Sequence, residues 1–268
     1  MPEAPTNGIT TYYDDQGSGP PVVLIHGHSA DSRMWDPQLP ALLAAGYRVI
    51  RYDLRGHGRT TAPDTGYTWD HYSADLRDLL DHLQVQRSHL AGFSMGAAIA
   101  MQFAFDQPAR VASLTLIDSA LPGFGYSPEF EEAVQTLREA IRSEGPQPAL
   151  ERLWLSHPLF DGLRRFPERF AALRQMVLSF PAREYLDDTK YPQPERQHID
   201  RLAEVSTPTL VVVGELDLPD FQIIAELLAA NIPGARSALI PDAGHVCTIE
   251  QPQAVNKTLL AFLAEVSL

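Results

Sequence analysis

The chain of 268 residues contains a single cysteine, Cys247, and is poor in basic residues. One cysteine excludes an intrachain disulfide bond, and this favours a reducing compartment. Lys and Arg number 21 against 34 Asp and Glu, so the formal net charge is −13. No run of Lys and Arg forms a patch that would neutralise phosphates, and we therefore expect no nucleic-acid partner.

Long hydrophobic runs are also absent from the sequence. No segment approaches the ~20 apolar residues that a membrane-spanning helix needs. The first residues, Met1 to Pro5, lack the basic start and the apolar stretch of a signal peptide. The sequence therefore predicts a soluble, cytoplasmic protein that binds no membrane. It does not distinguish a monomer from a homodimer, and both stay open.

The sequence does contain a regular alternation of short apolar runs and helical patterns. Runs rich in β-branched residues predict strands at Ile9–Tyr13, Val22–Ile25, Tyr47–Tyr52, Ser88–Phe93, Val111–Ile117, Thr209–Val213 and Ser237–Ile240. Apolar residues at helical spacing predict helices at Pro37–Ala45, Ser73–Leu83, Ser94–Phe105, Pro219–Asn231 and Gln251–Glu265. Buried strands separated by helices indicate an α/β fold, with a mostly parallel, twisted sheet covered by helices on both faces.

This alternation stops between residues 120 and 201. The segment contains helical patterns at Glu129–Ser143, Ala149–Leu155 and Pro167–Phe180, separated by prolines, and no convincing buried strand. We interpret it as a helical cap, or lid, inserted into an α/β core that is formed by residues 1–119 and 202–268. The packing of such a cap would set the shape of a substrate pocket.

The pentapeptide Gly92-Phe93-Ser94-Met95-Gly96 has the G-x-S-x-G pattern of a nucleophile elbow. It follows a predicted apolar strand and begins a predicted helix, which is the structural context that the pattern requires. Glycines two residues before and after the serine avoid steric clashes on so tight a turn. The sequence thus predicts Ser94 as a nucleophile that lies beside the positive end of a helix.

A serine nucleophile needs a base and an acid that orients the base. His245, which follows the last predicted strand, is the predicted base. Asp217 follows the preceding strand and is the preferred acid, because the order nucleophile, acid, histidine is expected on this kind of sheet. Asp118, at the end of another strand, is a rival for the acid role, whereas Asp220 and Glu215 are weaker candidates.

The segment His26-Gly27-His28 follows the first buried strand, and its glycine allows the backbone to approach a ligand closely. The backbone amides of His28 and Met95 are therefore candidate donors to an oxyanion, each worth ~2.7–4 kcal/mol. Two histidines without a cluster of carboxylates or cysteines are a weak metal signal, so we expect no metal ion. The aromatic candidates for lining a substrate pocket are Trp35, Phe124, Trp154 and Phe160.

Taken together, these motifs resemble those of the α/β-hydrolase superfamily over nearly the whole chain. They are, in order, His26-Gly27-His28, Tyr52 to Gly58, Gly92 to Gly96, Gly214 to Asp217 and Gly244-His245. Within the superfamily, Met34 to Leu39 followed by Arg51-Tyr52-Asp53 is similar to the 3-oxoadipate enol-lactonase-like esterases. The resemblance implies a Ser94–His245–Asp217 triad, an oxyanion hole formed by the amides of His28 and Met95, and catalysis without a cofactor.

Departures from related families narrow the activity that the resemblance implies. Haloalkane dehalogenases and epoxide hydrolases have an aspartate in place of Ser94, and C–C bond hydrolases usually have a tryptophan in place of Val246. Perhydrolases commonly have a glycine at the position of Ala97, and enol-lactonases often lack the pair His26-Gly27. We therefore expect a carboxylesterase-type serine hydrolase of small esters or lactones. The alternatives are an enol-lactonase, a C–C bond hydrolase, a perhydrolase and a non-catalytic ligand-binding protein.

Overall fold

The computed structural model describes residues 2–189 and 194–266, in which eight strands form a sheet. The strands are β1 (Glu3–Thr6), β2 (Ile9–Gln16), β3 (Pro21–Ile25), β4 (Arg48–Tyr52), β5 (Ser88–Phe93), β6 (Val111–Ile117), β7 (Thr209–Gly214) and β8 (Arg236–Ile240). Their order in the sheet is β1-β2-β4-β3-β5-β6-β7-β8. β2 pairs antiparallel with β1 and β4, and the strands from β4 to β8 in this order are parallel.

The helices are α1 (Leu39–Ala44), α2 (Trp69–His82), α3 (Met95–Asp106), α4 (Pro128–Glu144), α5 (Pro146–Ala149), α6 (Asp161–Arg164), α7 (Pro167–Ser179), α8 (Pro219–Asn231), α9 (Cys247–Glu250) and α10 (Pro252–Glu265). Short 3₁₀ turns lie at Ser32–Trp35, Pro108–Arg110, Pro158–Phe160, Arg183–Tyr185 and His198–Glu204. Within the described residues, no helix is long and apolar enough to cross a bilayer.

The central strands β5 and β6 are buried at every residue and are mostly apolar, and the polar side chains of His89 and Ser113 form a hydrogen bond with each other. Strands buried on both faces need helices on both faces of the sheet. α2 packs against α3, which covers β5 and β6, while α1 contacts β4 and α10. The predicted α/β-hydrolase fold with a mostly parallel sheet is confirmed.

Two elements differ from the prediction: strand β1 was not predicted, and helix α2 begins earlier than predicted. β1 is missing from the prediction because its four residues include Pro5 and two polar side chains, and it pairs with β2 at the sheet edge. α2 begins at Trp69 rather than Ser73. Its start is set by Thr68, whose Oγ1 accepts a hydrogen bond from the amide of His71 as an N-cap.

Residues 120–201, called the helical segment below, connect β6 to the turn before β7. Its described part contains α4 to α7 and no strand. The predicted helix Ala149–Leu155 is instead the end of α5 followed by a π-helical turn at Leu150–Trp154. Residues 190–193 of the predicted cap lie outside the described residues. The division of the chain into a core and a cap stays a prediction.

The parallel strands bring the loops that follow them to one edge of the sheet. Ile25 is level with Gly92, and Ile117 is level with both Phe93 and Val212. The residues that directly follow β3, β5, β6 and β7 are therefore neighbours in space. This edge, called the catalytic edge below, carries the predicted site residues.

Candidate active site

Ser94 lies on a strained turn between β5 and α3. Its backbone has φ 51° and ψ −116°, a combination that non-glycine residues rarely adopt. The turn is held because the amide of Ser94 donates to the carbonyl of Ile117 at 2.9 Å. A Cβ atom at Gly92 would overlap the carbonyl of Gly96, and one at Gly96 would overlap that of Ile25. Glycine is therefore sterically required at both positions of the pentapeptide.

His245 connects Ser94 to Asp217 through its two ring nitrogens. Nε2 lies 3.2 Å from the Oγ of Ser94, and Nδ1 lies 3.0 and 3.2 Å from the carboxylate oxygens of Asp217. Asp217 also accepts a hydrogen bond from the amide of Leu218 at 2.7 Å, which fixes its carboxylate. Both His245 and Asp217 are buried, so water competes little for these contacts.

The other acidic candidates are engaged elsewhere on the described part of the chain. Asp118 is fully buried, and its Oδ1 accepts from the amide of Gly214 at 2.9 Å. Burial raises the pKa of Asp118 well above its usual range, and the neighbouring charge of Asp217 raises it further. Asp220 accepts from the amide and hydroxyl of Ser127, whereas Glu215 accepts from the amide of residue 242. The structure thus brings Asp217, of these four carboxylates, to His245.

The residues of the two predicted oxyanion donors, His28 and Met95, are both near Ser94. Met95 is the first residue of α3, so its amide is one of those without an acceptor inside the helix. His28 lies in the loop after β3, and both residues line the same cavity as Ser94. The N-terminus of α3 adds a positive dipole end at this point. The place is therefore suited to an oxygen that gains negative charge.

The side chain of His28 is held by the helical segment. Its Nε2 lies 2.8 Å from the Oε1 of Glu184, and its ring packs edge-on against Trp154, Phe180 and Tyr185. Burial opposes the ionisation of Glu184, but the charge of His28 and its hydrogen bond outweigh burial and lower the pKa of Glu184 to about 2. The loop that carries the His28 amide is thus tied to the helical segment by an ion pair.

Two further histidines of this region have structural partners. His26 accepts the amide of Leu54 on its Nε2 at 2.9 Å, and His57 accepts the amide of Ser29 on its Nε2 at 3.2 Å. Burial lowers the pKa of His57 to about 3. Both rings therefore support the loop after β3 in their neutral form. Within residues 2–189 and 194–266, no three His, Cys, Asp or Glu side chains are grouped to hold a metal ion.

A cavity of about 200 Å³ lies between the catalytic edge and the helical segment. Ser94, His245, Trp154 and Phe160 line it, so the structure brings two of the four predicted aromatic residues to the site. The further apolar residues of the lining are Ala30, Phe93, Ala120, Tyr126, Phe130, Val134, Leu159, Leu173, Tyr185, Phe221 and Val246, none of which the sequence predicts as a pocket residue. Phe130 and Val134 are four residues apart on α4, a spacing that places them on one helix face.

Trp35 and Phe124 do not reach this cavity. Trp35 is fully buried in the hydrophobic core, in the 3₁₀ turn after β3. Phe124 packs edge-on against Tyr126 at a ring distance of 5.2 Å, and Tyr126 is the residue that faces the cavity. Large aromatic residues are as readily used for core packing as for binding, and their sequence positions do not distinguish the two uses.

A strand–serine–helix turn on a mostly parallel sheet, with a histidine and a carboxylate at the same edge, is the arrangement of α/β-hydrolases. The family model described as "Alpha/beta hydrolase family" matches residues 22–258. The chain belongs to this family, as its motifs predicted. The family places it among enzymes that hydrolyse esters or related bonds.

Similar proteins of known structure or curated sequence differ in their named activities. A thermophilic esterase from Thermogutta terrifontis is 33% identical, with a TM-score of 0.83 and coverage of 98% of this chain and 97% of that chain. The enol-lactonase from Burkholderia xenovorans LB400 is 29% identical, with a TM-score of 0.84 and coverage of 98% and 100%. A putative non-heme chloroperoxidase from Synechocystis sp. is 30% identical over 95% of both sequences.

Proposed function

We propose that the protein is a serine carboxyl-ester hydrolase that acts on small, uncharged esters or lactones. The observation that carries this proposal is the continuous contact from the Ser94 hydroxyl through His245 to Asp217. Serine is a weak nucleophile unless a base takes its proton, and a histidine oriented by a carboxylate is such a base. Similarity to an esterase and an enol-lactonase supports the same reaction class.

In the acylation step, the Oγ of Ser94 attacks the carbonyl carbon while Nε2 of His245 takes the hydroxyl proton. Asp217 holds the imidazole through Nδ1 and stabilises the imidazolium that forms. The amides of His28 and Met95 donate to the oxyanion of the tetrahedral intermediate. His245 then gives its proton to the departing alkoxide. The alcohol leaves the site, and the acyl group remains on Ser94 as an ester.

In the deacylation step, water replaces the alcohol. His245 takes a proton from the water as its oxygen attacks the acyl-enzyme carbonyl, and the same two amides hold the second oxyanion. The proton returns to the Oγ of Ser94 as the carboxylic acid leaves. Every proton in this cycle moves through His245, and the cycle needs no cofactor.

The size and lining of the cavity favour a substrate with a small, uncharged acyl or lactone group. Its volume of about 200 Å³ is slightly larger than the ~150 Å³ of an apolar cavity that holds benzene. Its described lining is mostly aromatic and aliphatic, with no Lys or Arg, and the side chain of the lining residue His28 is already paired with Glu184. A substrate carboxylate would therefore be buried without a free cationic partner, which is costly.

We further propose that the helical segment acts as a cap over this cavity. It contributes Phe130, Trp154 and Phe160 to the lining, opposite Ser94 on the catalytic edge. The indole nitrogen of Trp154 also donates to the hydroxyl of Ser29 at 2.8 Å, next to His28. The segment would thus set the acyl specificity and shield the reacting groups from bulk solvent, while still admitting the water that deacylation needs.

Hydrolysis of p-nitrophenyl esters of graded acyl length tests this function. We expect turnover with acetate and butyrate esters, and a fall in kcat/KM for chains that exceed the cavity. Ser94→Ala should lower kcat by at least ~10⁴-fold because the nucleophile is lost. A purified Ser94→Ala protein with near-wild-type turnover would refute the proposal.

A further inference from the structure

Glu250, at the end of α9, is 1% exposed, and its carboxylate has no role in the reaction described above. Its Oε2 accepts from the amide of Gly244 at 2.7 Å, and its Oε1 accepts from the amide of Val246 at 3.1 Å. These two amides lie directly before and after His245. One side chain thus holds the backbone on both sides of the histidine.

The loop that carries His245 has no helix or strand to hold its backbone, and the hydrogen bonds to Glu250 hold it instead. Residues 241–246 form turns between β8 and α9, and Val246 is the N-cap of α9. The single turn of α9 returns Glu250 to the loop, and the amide of Glu250 also donates to the carbonyl of Val246. The position of the His245 ring therefore depends on a backbone that Glu250 fixes.

Two glycines of the surrounding structure leave space for the carboxylate of Glu250. A Cβ atom at Gly162 in α6 would overlap the carboxylate of Glu250, and one at Gly244 would lie 3.3 Å from Oε1. The helical segment also provides Arg165, whose Nη2 lies 3.7 Å from Oε2 and donates to the carbonyl of Asp242. Burying a carboxylate costs solvation free energy. The hydrogen bonds from two backbone amides and the nearby charge of Arg165 offset this cost.

The chemistry at this place requires two acceptors. The amides of Gly244 and Val246 are both donors, and each of the two carboxylate oxygens accepts one of these hydrogen bonds. A glutamine of the same shape has one acceptor oxygen and one NH₂ group, and its NH₂ group would face an amide donor. An aspartate keeps the charge but is one methylene shorter, so it reaches the two amides less well.

We propose that Glu250 is a positioning residue for His245: it holds the loop so that the imidazole stays in line with Ser94 and Asp217, and its negative charge favours the imidazolium. The inference rests on the proposed ester hydrolysis. The charged or titratable groups that face Glu250 are Arg165, His245 and Cys247. Those that face His245 are Asp217, Glu250, Ser94 and His157.

The test compares Glu250→Gln, Glu250→Asp and the control Glu215→Gln with the wild type. Glu215 also accepts an amide of this loop, that of Asp242, but it is exposed and lies farther from His245 in sequence. For each protein, kcat, KM and the pH profile are measured with p-nitrophenyl acetate. Active-site titration with a fluorophosphonate gives the concentration of competent enzyme, so that kcat refers to folded sites alone.

Glu250→Gln should lower kcat by ~10–100-fold, because small misplacements of a catalytic group have effects of this size. KM should change less than about twofold, since Glu250 does not line the cavity. The acidic limb of kcat/KM should move to lower pH, because the negative charge beside the base is lost. Glu250→Asp should lower kcat while the acidic limb stays in place, and Glu215→Gln should match the wild type.

A wild-type kcat per titrated site and an unmoved acidic limb in Glu250→Gln would overturn the inference. If that variant does not fold, a wild-type kcat in Glu250→Asp would overturn it equally. The proposed function fails in a different way, because then the wild-type protein itself neither hydrolyses the ester nor reacts with the fluorophosphonate at Ser94.

Discussion

At the scale of single residues, several non-glycine residues at the catalytic edge have strained backbone angles. Ser29, Ser94 and Asp118 all have positive φ angles, between 44° and 59°, although none is a glycine. Each such residue costs ~1–3 kcal/mol, and it persists only where the surrounding structure fixes it. All three follow parallel strands at the same edge. The strain at Ser94 projects its hydroxyl from the sheet toward His245.

Two carboxylates at this edge should respond differently to the loss of their charge. Asp217→Asn should lower kcat by ~10³–10⁴-fold, because the amide does not stabilise the imidazolium and favours the wrong tautomer of His245. Asp118→Asn should stay within about tenfold of the wild type. Asp118 makes no hydrogen bond to His245, and the side-chain oxygen of an asparagine can still accept from the amide of Gly214.

Steady-state kinetics of the two variants with one p-nitrophenyl ester at neutral pH provide the comparison. A large loss of kcat in Asp118→Asn together with an active Asp217→Asn would reverse the assignment of the acid.

The sequence indicates candidate site residues more readily than it indicates the contacts that those residues make. Ser94 is recognisable because a G-x-S-x-G turn needs a strand before it and a helix after it, and both are legible as patterns. The choice between Asp217 and Asp118 is different. Both follow parallel strands, and the contact that engages Asp118, with the amide of Gly214, joins residues that are far apart in sequence.

At the scale of elements, the loop after β3 is tied to the helical segment by His28 and Glu184. Glu184 lies in the 3₁₀ turn Arg183–Tyr185, and its carboxylate also accepts from the hydroxyl of Tyr72 in α2 at 3.2 Å. One carboxylate therefore joins the loop after β3, the helical segment and a helix that packs on the sheet. Breaking this contact loosens three elements at once.

This contact predicts a component of acid sensitivity. The pKa of Glu184 is lowered to about 2 in the folded protein, so its stabilising effect is complete above its usual pKa and is lost as the pH falls toward 2. Glu184→Gln should be less stable than the wild type at pH 6, and the difference should shrink at pH 3. Urea unfolding at both pH values measures it.

Glu132→Gln, which changes an exposed glutamate on α4, is the matched control. Its difference from the wild type should not depend on pH in this way. A Glu184→Gln protein whose stability deficit grows on acidification would contradict the role given to the ion pair.

Elements with strong local signals were predicted with their observed bounds, and elements without them were not. β6 and α8 agree with the prediction at both ends, because β6 is a mostly apolar run rich in β-branched residues and α8 begins at a proline. The π-helical turn at Leu150–Trp154 has no comparable signal. It depends on how α5 packs against α4 and α7.

At the scale of the whole molecule, the cavity exists only where the catalytic edge meets the helical segment. Its lining combines Ser94 and His245 from the sheet side with Phe130 and Trp154 from the segment between β6 and β7. No local pattern predicts such a surface. Phe124 and Tyr126 are two residues apart, yet only Tyr126 faces the cavity, because the packing of the intervening turn decides which ring points inward.

The size of the cavity predicts how specificity should change. Phe130→Ala removes a ring from the lining and should raise the ratio of kcat/KM for an octanoate ester over an acetate ester by at least ~10-fold. Phe124→Ala removes a similar ring outside the lining and should leave the ratio unchanged. Rates with the two p-nitrophenyl esters give the ratio for each variant. Equal ratios in Phe130→Ala and the wild type would contradict the placement of the acyl group in this cavity.

The most direct test of the central claim is covalent labelling of Ser94. The protein is incubated with a fluorophosphonate, digested and analysed by mass spectrometry. The label should lie on the peptide that contains Ser94 in the wild type, should be absent in Ser94→Ala, and should form far more slowly in His245→Ala because the base is lost. A wild-type protein that stays unlabelled at Ser94, or that is labelled at another serine while hydrolysing esters, would contradict the account.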